Sequence, residues 1–334
     1  MSLRLTNSIG GEARAPAGHQ WVLVSDPATG AAYAECPASD ARDVDLAVAA
    51  AAAAFPAWSR LANSERARWL ERLAYALEAR LEEFARAESR DTGKPIALTR
   101  DVEIPRAVAN LRFFSHAATQ FASESHHGEA GLNYTLRRPL GAVACISPWN
   151  LPLYLFTWKI APALAAGNAV VGKPSEVTPV TAWMLGELAQ EIGFPAGALN
   201  IVQGVGSEVG HALVGHRDIK AVSFTGSTRV GREIAAICAA KLKKCSLELG
   251  GKNPTLVFAD APRERLLDTV LRSAFQNAGQ ICLCGSRILI ERMFYEKFRD
   301  TFVAGAEALR AGDPFDSATT LGPLASQAHF EKVL

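Results

Sequence analysis

The sequence has 334 residues, 49% of them hydrophobic, and a formal net charge of +1 at pH 7. That length predicts one large or two ordinary domains with a sizeable apolar core. The near-neutral charge offers no electrostatic attraction for nucleic acid or an anionic membrane, so we expect neither partner. No signal-peptide core or membrane-length apolar run is found, and six irregularly spaced cysteines favour free thiols in a reducing cytoplasm. The histidine and cysteine spacings indicate no metal site.

The first part of the chain predicts short strands followed by helices. Apolar residues such as Leu70, Leu73 and Leu77 recur at spacings of three and four, which is typical of one face of a helix. In chain order we expect two short strands within 22–33, a helix over 43–55 ended by Pro56, a long helix over 64–90, a helix over 96–121, a polar loop over 123–131 and an exposed strand over 134–138.

From Gly141 onward, short apolar runs alternate with helical segments. We expect strands at 142–146, 168–172, 198–202, 220–224 and 244–248, with helices between them at 155–165, 180–191, 208–214 and 229–240. Apolar strands separated by helices indicate an α/β fold with a doubly wound parallel sheet, buried on both faces. After Pro254 the pattern restarts with strands at 255–258 and 287–291 and helices at 263–277 and 294–307, which predicts the beginning of a second α/β domain.

Three motifs carry candidate chemistry. Cys282 follows a Gly279-Gln280 turn between a predicted helix and a predicted strand. Glu248 stands at a strand end before two glycines, and Asn150 lies in a proline-stiffened Trp-Asn-Leu-Pro loop. A reachable thiol, a carboxylate and an amide donor are the groups needed for acyl transfer through a thioester, although a single cysteine is more often a small buried apolar residue.

Together the three motifs resemble those of the aldehyde dehydrogenase superfamily, over a stretch from about Val22 to Leu334. The tracts 148–168 and 281–287 are similar to its branch that acts on 2-aminomuconic and 2-hydroxymuconic semialdehydes. The resemblance implies that Cys282 attacks the aldehyde carbon and that Asn150 and the Cys282 backbone N–H hold the resulting oxyanion. Hydride then passes to NAD, and Glu248 activates the water that hydrolyses the thioester.

The resemblance also implies a domain plan. Residues 1–121 and 140–250 would form a Rossmann-like NAD-binding domain, 122–139 an oligomerisation segment with one short strand, and 251–334 the first part of a catalytic domain. Family members form homodimers or homotetramers. They also continue past Leu334 with a Glu-x-Phe-Gly-Pro segment that holds the nicotinamide ribose. We therefore expect a C-terminally truncated chain with an incomplete catalytic domain, whose activity on its own is open.

The predicted cofactor site centres on Phe224 to Gly231, which follows a strand and opens a helix. Backbone N–H groups at a helix start bind anions, and the Gly226-x-x-x-x-Gly231 spacing resembles the superfamily's own variant, in which Ser227 would donate to the pyrophosphate. Lys173 and Glu176 would hold the adenosine ribose, which favours NAD over NADP because a carboxylate repels a 2′-phosphate. The other predicted cofactor residues are Ile146, Ser147, Pro148, Trp149, Ser175, Gly206, Thr225, Leu249 and Gly250.

Two further side chains have alternative interpretations. Arg106 lies on a helix expected to line the substrate entrance and is either a carboxylate anchor or a solvated arginine. Cys284 would point to the same side as Cys282 if the segment were strand-like, and is either a packing thiol or a partner for oxidised Cys282.

Three rival functions remain open at this stage. One is a CoA-acylating semialdehyde dehydrogenase, against which Glu248 argues. Another is a chain that binds nucleotide or pairs with subunits without turnover. The third is an NAD-independent cysteine hydrolase that uses Cys282 and Glu248.

Overall fold

The computed structural model describes residues 3–334. The strands are β1 Leu3–Arg4, β2 Asn7–Ile9, β3 Glu12–Arg14, β4 Trp21–Ser25, β5 Ala32–Pro37, β6 Ser125–Gly128, β7 Gly131–Tyr134, β8 Ala142–Ile146, β9 Ala169–Lys173, β10 Leu199–Ile201, β11 Ile219–Gly226, β12 Lys244–Leu249, β13 Pro254–Val257 and β14 Arg287–Ile290. The α-helices are α1 Ala41–Arg60, α2 Asn63–Ala79, α3 Leu81–Thr92, α4 Ile96–Leu98, α5 Ile104–Gln120, α6 Pro152–Ala165, α7 Val180–Glu191, α8 His211–Gly215, α9 Thr228–Ala240, α10 Arg263–Phe275, α11 Tyr295–Glu307 and α12 Gln327–Val333. Thr99–Glu103 and Gly206–Gly210 form π-helical turns, and Gln276–Gly279 and Arg292–Phe294 form 3₁₀ turns.

The main sheet has seven strands in the order β12-β11-β8-β9-β10-β2-β3. Neighbours from β12 to β10 pair in parallel, whereas β2 pairs antiparallel with both β10 and β3. The register places Ile146 opposite both Phe224 and Lys173, and Thr225 opposite Glu248. The carboxyl ends of four strands therefore meet at one edge of the sheet, which is where ligands bind in open α/β sheets.

Helices cover both faces of this sheet, as the apolar runs predict. Val143 and Cys145 of β8 contribute to a core formed with α2, α3, α5, α6 and α7. Ala144 and Ile146 point to the opposite face and join a core formed with α1, α8 and α9. The fold is thus the predicted doubly wound α/β fold. Three smaller sheets lie outside it within residues 3–334: β1-β5-β4, the parallel pair β13-β14 and the antiparallel pair β6-β7.

Two helix boundaries predicted from the sequence are wrong. Pro56 does not end α1, because the helix continues to Arg60 with the proline inside it. An internal proline costs about 3 kcal/mol, and we attribute the surviving last turn to Trp58, which is 2% exposed and donates from Nε1 to the Leu164 carbonyl oxygen at 3.1 Å. The predicted 64–90 helix is broken at Arg80, where φ is −112° and ψ is 24°. Beyond this break, α3 carries the buried carboxylate of Glu88, which accepts hydrogen bonds from residues of α6 and α7.

The 96–121 segment is also not one regular helix. Its π-helical turn lies directly before Pro105, which has no N–H to continue the α-helical pattern. The segment after it forms an exposed β6–β7 hairpin, so the predicted loop at 123–131 and strand at 134–138 are both misplaced. Exposed hairpin strands lack the apolar alternation that reveals half-buried strands, and the expected oligomerisation segment contains two strands rather than one.

A buried polar cluster joins α3 to the start of α6. Glu88 accepts hydrogen bonds from the Leu153 N–H at 3.3 Å and the Thr181 hydroxyl at 2.6 Å. Nearby, Lys94 donates to both carboxylate oxygens of Glu103, at 2.8 and 2.6 Å. Burial raises the pKa of Glu88, with Lys94 opposing the shift. The cluster fixes the N-terminus of α6, which directly follows the Asn150 loop.

Residues after 250 pack on the first part of the chain through loop contacts. The Ile96 N–H donates to the Pro314 carbonyl oxygen at 2.8 Å, and Gly322 lies close to the Gly93 carbonyl. Among residues 3–334, no single helix is both long enough and apolar enough to cross a membrane. Helices α1 and α2 reach that length and apolarity only when taken together, and the chain bends by 120° between them.

Candidate active site

The segment before Cys282 has an unusual backbone. Asn277, Ala278 and Gly279 have φ values of 54°, 53° and 74°, so three consecutive residues adopt the left-handed conformation. Such backbone is costly for a residue with a Cβ and tends to occur at functional sites. Because it turns the chain sharply after α10, the Cys282 side chain is exposed rather than packed in the core.

Cys284 does not lie on the same side as Cys282. The two residues belong to a turn, closed by the Cys284 N–H and the Ile281 carbonyl oxygen at 3.0 Å, and not to a strand. The Cys284 side chain is buried, 8% exposed, and its thiol donates to the Gln276 carbonyl oxygen at 3.8 Å. Burial raises the pKa of Cys284, so this thiol stays protonated. The strand-like expectation is therefore wrong, because the turn reverses the alternation on which it depended.

Side-chain amides hold the Cys282 loop against the Asn150 loop. Asn150 Nδ2 donates to the Gln280 carbonyl oxygen at 2.7 Å, and Asn277 Nδ2 donates to the Asn150 carbonyl oxygen at 3.1 Å. On the other side, Asn253 Nδ2 donates to the carbonyl oxygens of Cys282 at 2.6 Å and Cys284 at 3.3 Å. The structure thus brings two of the predicted residues, Asn150 and Cys282, into one hydrogen-bonded unit.

Two N–H groups in this unit remain available to an anion. Within residues 3–334 the backbone N–H of Cys282 has no hydrogen-bond acceptor. The Asn150 amide carries two hydrogens, and only the Gln280 carbonyl oxygen accepts from it in this part of the chain. These are the two donors from which an oxyanion site beside the Cys282 thiol can be built.

Glu248 lies in a neighbouring cavity. It is exposed near the end of β12 and lines a cavity of about 480 Å³ together with Lys159 and Trp158. Burial lowers the pKa of Lys159, while Cys145 and Glu248 oppose this shift, so the carboxylate is close enough to affect the amine. A second cavity of about 300 Å³ lies beside the Cys282 loop and is lined by Tyr154. The Trp158 and Tyr154 rings, 6.1 Å apart, place the two cavities next to each other.

Lys173 and Glu176 form a second polar site at the end of β9. Lys173 Nζ, which is buried, donates to the Pro174 carbonyl oxygen at 2.8 Å and to Glu176 Oε2 at 3.2 Å. Glu176 Oε1 accepts from the Gly206 N–H at 3.1 Å. Burial would raise the pKa of Glu176, but Lys173 and these hydrogen bonds outweigh it and hold the pKa below its ordinary value. The carboxylate is therefore ionised and already oriented.

The predicted phosphate loop connects β11 to α9. Ser227 is the N-cap of α9 and accepts from the Val230 N–H at 3.3 Å. A Cβ on Gly226 would lie 2.4 Å from the Phe224 ring, and one on Gly231 would lie 2.5 Å from Leu249 Cδ2. A Cβ at either position would have to displace one of these side chains, and its absence at Gly231 lets α9 pack closely on β12.

The loop after β8 completes this edge of the sheet. Ser147 Oγ is buried and has no hydrogen-bond partner within residues 3–334. Trp149 follows it, with its carbonyl oxygen accepting from the Thr178 hydroxyl at 3.1 Å and its ring 4.7 Å from the His329 ring. A buried hydroxyl without a partner is rare and indicates an unsatisfied interaction with a group outside the chain. This observation fits a bound polar cofactor at the predicted position.

Several residues of the site were not predicted. Lys159, Asn253, Asn277 and Gln280 all contact predicted residues or share a cavity with them. Asn253 lies in the sequence motif of Glu248, and Asn277 and Gln280 lie in that of Cys282. A search for side-chain amides within these two motifs would have found all three. Lys159 carries no such local signal, since its sequence neighbours predict an ordinary buried helix.

Fold and motifs together define an α/β protein with an exposed cysteine at the carboxyl edge of a doubly wound sheet. The chain belongs to the aldehyde dehydrogenase family, whose model matches residues 14–334. It is 50% identical over 312 residues to the 2-aminomuconic semialdehyde dehydrogenase of Danio rerio, an alignment that covers 92% of this chain and 64% of the relative. The chain therefore spans somewhat less than two thirds of that relative's length.

A bacterial relative and a solved structure agree with this assignment. The 5-carboxymethyl-2-hydroxymuconate semialdehyde dehydrogenase of Escherichia coli is 46% identical over 318 residues, covering 95% of this chain and 67% of the relative. PnpE from Pseudomonas sp. WBC-3 has been solved in complex with nicotinamide adenine dinucleotide. That complex matches the chain with a TM-score of 0.96 and 42% identity, covering 100% of this chain and 68% of that one.

Proposed function

We propose that this chain carries the cofactor site and the reactive cysteine of an NAD-dependent aldehyde dehydrogenase, and that the aldehyde is a muconic-type semialdehyde. The observation that carries the proposal is the joining of Cys282 and Asn150 by the Gln280 carbonyl. It supports an exposed thiol close to two N–H donors that have no acceptor within residues 3–334, at the edge of the sheet where cofactors bind. Family membership and the named semialdehyde dehydrogenases support the same conclusion.

In this proposal the Cys282 thiolate attacks the aldehyde carbon and forms a C–S bond. The carbonyl electron pair moves to oxygen, where the Cys282 N–H and the second Asn150 N–H stabilise the negative charge. Bound NAD supplies an acceptor for the hydride that leaves this carbon, and a thioester on Cys282 remains. Losing one oxyanion donor typically costs about 3–4 kcal/mol of barrier, so Asn150 is a major part of the catalytic effect.

Glu248 then takes a proton from the water that attacks the thioester, which releases the acid and restores the thiolate. Its exposure and its place in a cavity adjoining that of the Cys282 loop support this role, because water reaches it there. A CoA-acylating enzyme would have no use for such a base. Lys159 lines the same cavity and donates from Nζ to the Ser223 hydroxyl at 3.2 Å.

The residues at the sheet edge fit NAD. We assign the adenosine ribose hydroxyls to Lys173 and Glu176, and the pyrophosphate to Ser227 and the N–H groups at the start of α9. The Ser147 hydroxyl, which has no hydrogen-bond partner within residues 3–334, and the backbone of Ile146, Pro148 and Trp149 would line the cofactor site. An ionised Glu176 would repel a 2′-phosphate, so the proposal names NAD rather than NADP.

Arg106 remains our candidate for the substrate carboxylate. It lines the cavity of about 300 Å³ beside the Cys282 loop, and its Nη2 donates to the Tyr154 hydroxyl at 3.2 Å. The Arg106→Ala variant should lose kcat/KM for a carboxylate-bearing semialdehyde and keep it for a neutral aldehyde. Equal losses of kcat/KM on both substrates would refute the assignment of Arg106 to the substrate carboxylate.

The remaining parts of the proposal concern assembly and location. The exposed β6–β7 hairpin, with Leu132 and Tyr134 64% and 69% exposed, supports a contact between copies in a homodimer or homotetramer. All six cysteines are free thiols, which supports a reducing cytoplasm.

The test is NADH formation with a semialdehyde, followed by absorbance, beside NAD binding by calorimetry. We expect NADH from the unaltered chain, none from Cys282→Ser, and equal NAD binding by both. Binding without NADH from the unaltered chain would favour a nucleotide-binding or subunit-pairing role. Acyl-CoA formed on addition of CoA would favour the acylating reaction.

A further inference from the structure

The cavity beside the Cys282 loop contains a second arginine that the proposed mechanism does not use. Arg272, in the last turn of α10, lines the same cavity as Arg106 on α5. Leu151, which follows Asn150, and Ile281 and Leu283, which flank Cys282, supply apolar wall between them. The cavity thus adjoins both groups of the proposed oxyanion site and presents two guanidinium groups from different helices.

The positive charge in this cavity is not neutralised by the protein. Within residues 3–334, Arg272 forms no ion pair or side-chain hydrogen bond. Arg106 contacts only Tyr154, through the hydroxyl and by stacking 4.8 Å from the ring centroid. Glu103 is the one acidic residue lining the cavity in the described chain, and Lys94 occupies both of its carboxylate oxygens. Two cations are therefore left for a ligand.

The polar groups around Arg272 suit an anion. The hydroxyl-bearing residues Thr269 and Ser273 line the cavity one turn before Arg272 and directly after it. An arginine offers five N–H donors in a planar fork that matches a carboxylate.

We propose that Arg272 is a second anion-recognising residue, and that the preferred aldehyde carries two acidic groups, one bound by Arg106 and the other by Arg272. The inference rests on the proposed function, since it names the substrate class of the same site. An apolar unsaturated chain between the two groups would lie against Leu151, Ile281 and Leu283, with the aldehyde directed to Cys282.

Two matched ligands test the proposal without turnover. Sorbate and trans,trans-muconate are six-carbon dienes with one and two carboxylates. Each is added while iodoacetamide alkylates Cys282, and the rate at this peptide is followed by mass spectrometry. Exposed Cys245, which lines the other cavity, serves as the internal reference thiol. We expect muconate to protect Cys282 at a concentration at least about tenfold lower than sorbate, as one added charge-assisted pair permits.

The variants assign that preference to a residue. Arg272→Gln should abolish the advantage of muconate and leave protection by sorbate unchanged, whereas Arg272→Lys should keep part of it. Arg265→Gln changes an exposed arginine on the same helix that does not line the cavity, and should behave as the unaltered chain. Equal protection by both ligands in the unaltered chain, or a muconate advantage that survives in Arg272→Gln, would overturn the proposal.

The outcome is separable from the proposed function. Selective protection by muconate without NADH formation would keep the two-cation site and refute the dehydrogenase reaction. NADH formation without the muconate preference would keep the dehydrogenase reaction and refute the two-cation site.

Discussion

The main sheet and the Cys282 loop are stabilised in different ways. Strands β8, β9 and β10 are buried on both faces, and their side chains belong to two extensive apolar cores. Around β13 and β14 the core is small, with Val257, Val270, Phe294 and Phe298 as its buried members, while Leu289 is 55% exposed. The Cys282 loop depends instead on amide side chains that bind backbone carbonyls. A rigid scaffold thus carries the proposed cofactor residues, and a hydrogen-bonded loop carries the thiol.

The largest effect should come from breaking the link between these two regions. Asn150→Ala removes the proposed oxyanion donor and the hydrogen bond to the Gln280 carbonyl, so kcat should fall by about 10²–10³-fold. NAD binding should persist, because the proposed cofactor residues stay at the edge of the sheet. Asn150→Asp keeps the shape without the N–H donors and should lose at least as much. Steady-state kinetics and calorimetry measure the two effects; a loss below tenfold in either variant would show that Asn150 does not hold the oxyanion.

A buried acid in the scaffold should make global stability depend on pH. Burial raises the pKa of Asp91 to about 7, although hydrogen bonds from the Tyr33 hydroxyl and the Val180 N–H lower it. Since an unfolded aspartate has a pKa of about 3.9, the folded state keeps a proton that the unfolded state loses. Stability should therefore fall as pH rises from about 4 to 7, by up to about 1.4 kcal/mol per pH unit, and then level off.

Asp91→Asn imitates the protonated acid and should remove the part of this slope that Asp91 contributes, leaving the part from buried Glu88, whose pKa is also raised. Urea unfolding at pH 5 and pH 7 measures it, with the exposed Asp101→Asn variant as the control. An Asp91→Asn chain that keeps the full slope would assign the pH dependence to other groups.

A smaller loss should follow from disturbing the packing of α9 on β12. Gly231→Ala places a Cβ 2.5 Å from Leu249 Cδ2, and overpacking of this kind costs about 1–3 kcal/mol. NAD binding should weaken as well, because α9 begins at the proposed pyrophosphate site. Gly215→Ala is the control, since its Cβ would meet nothing within 4 Å. Equal urea midpoints for the two variants would contradict the requirement for glycine at 231.

The smallest effect should be local to the loop. Asn253→Ala frees the Cys282 and Cys284 carbonyls, at a cost of about 1 kcal/mol. Amide hydrogen exchange should quicken over 277–286 and iodoacetamide should reach Cys282 at a different rate, while the urea midpoint stays near that of the Lys252→Ala control. A large drop in global stability would mean that the loop is part of the main core after all.

The same division explains what the sequence predicted well. The sequence predicts a strand at 142–146 and a helix at 180–191 with the observed bounds. Both elements are buried on two sides, and such burial requires a nearly continuous run of apolar residues. Pro56 and Arg80 were misjudged because tertiary contacts of Trp58 and Glu88 override local signals. The predicted direction of the Cys284 side chain is wrong for a similar reason. Three left-handed residues at 277–279 determine the path of the loop, and only one of them is the glycine that would signal this conformation in the sequence.

The candidate site shows the same limit. Motifs identified Cys282, Glu248 and Asn150 as residue types with a chemistry, but no spacing in the sequence reveals that Asn253 binds the Cys282 carbonyl across 29 positions. Nor does it reveal that Arg272 shares a cavity with Arg106. Such contacts are long-range, and they follow only from how α6, α10 and the sheet edge come together.

Trapping the acyl group on sulfur tests the central claim most directly. If Glu248 is the water-activating base, Glu248→Gln should allow hydride transfer yet leave the thioester without that base. Incubated with a semialdehyde and NAD and then digested, this variant should show the acyl mass on the Cys282 peptide, and none when NAD is omitted. Acyl groups on a different residue, or no acyl group after NADH has formed, would contradict a thioester on Cys282 that Glu248 helps to hydrolyse.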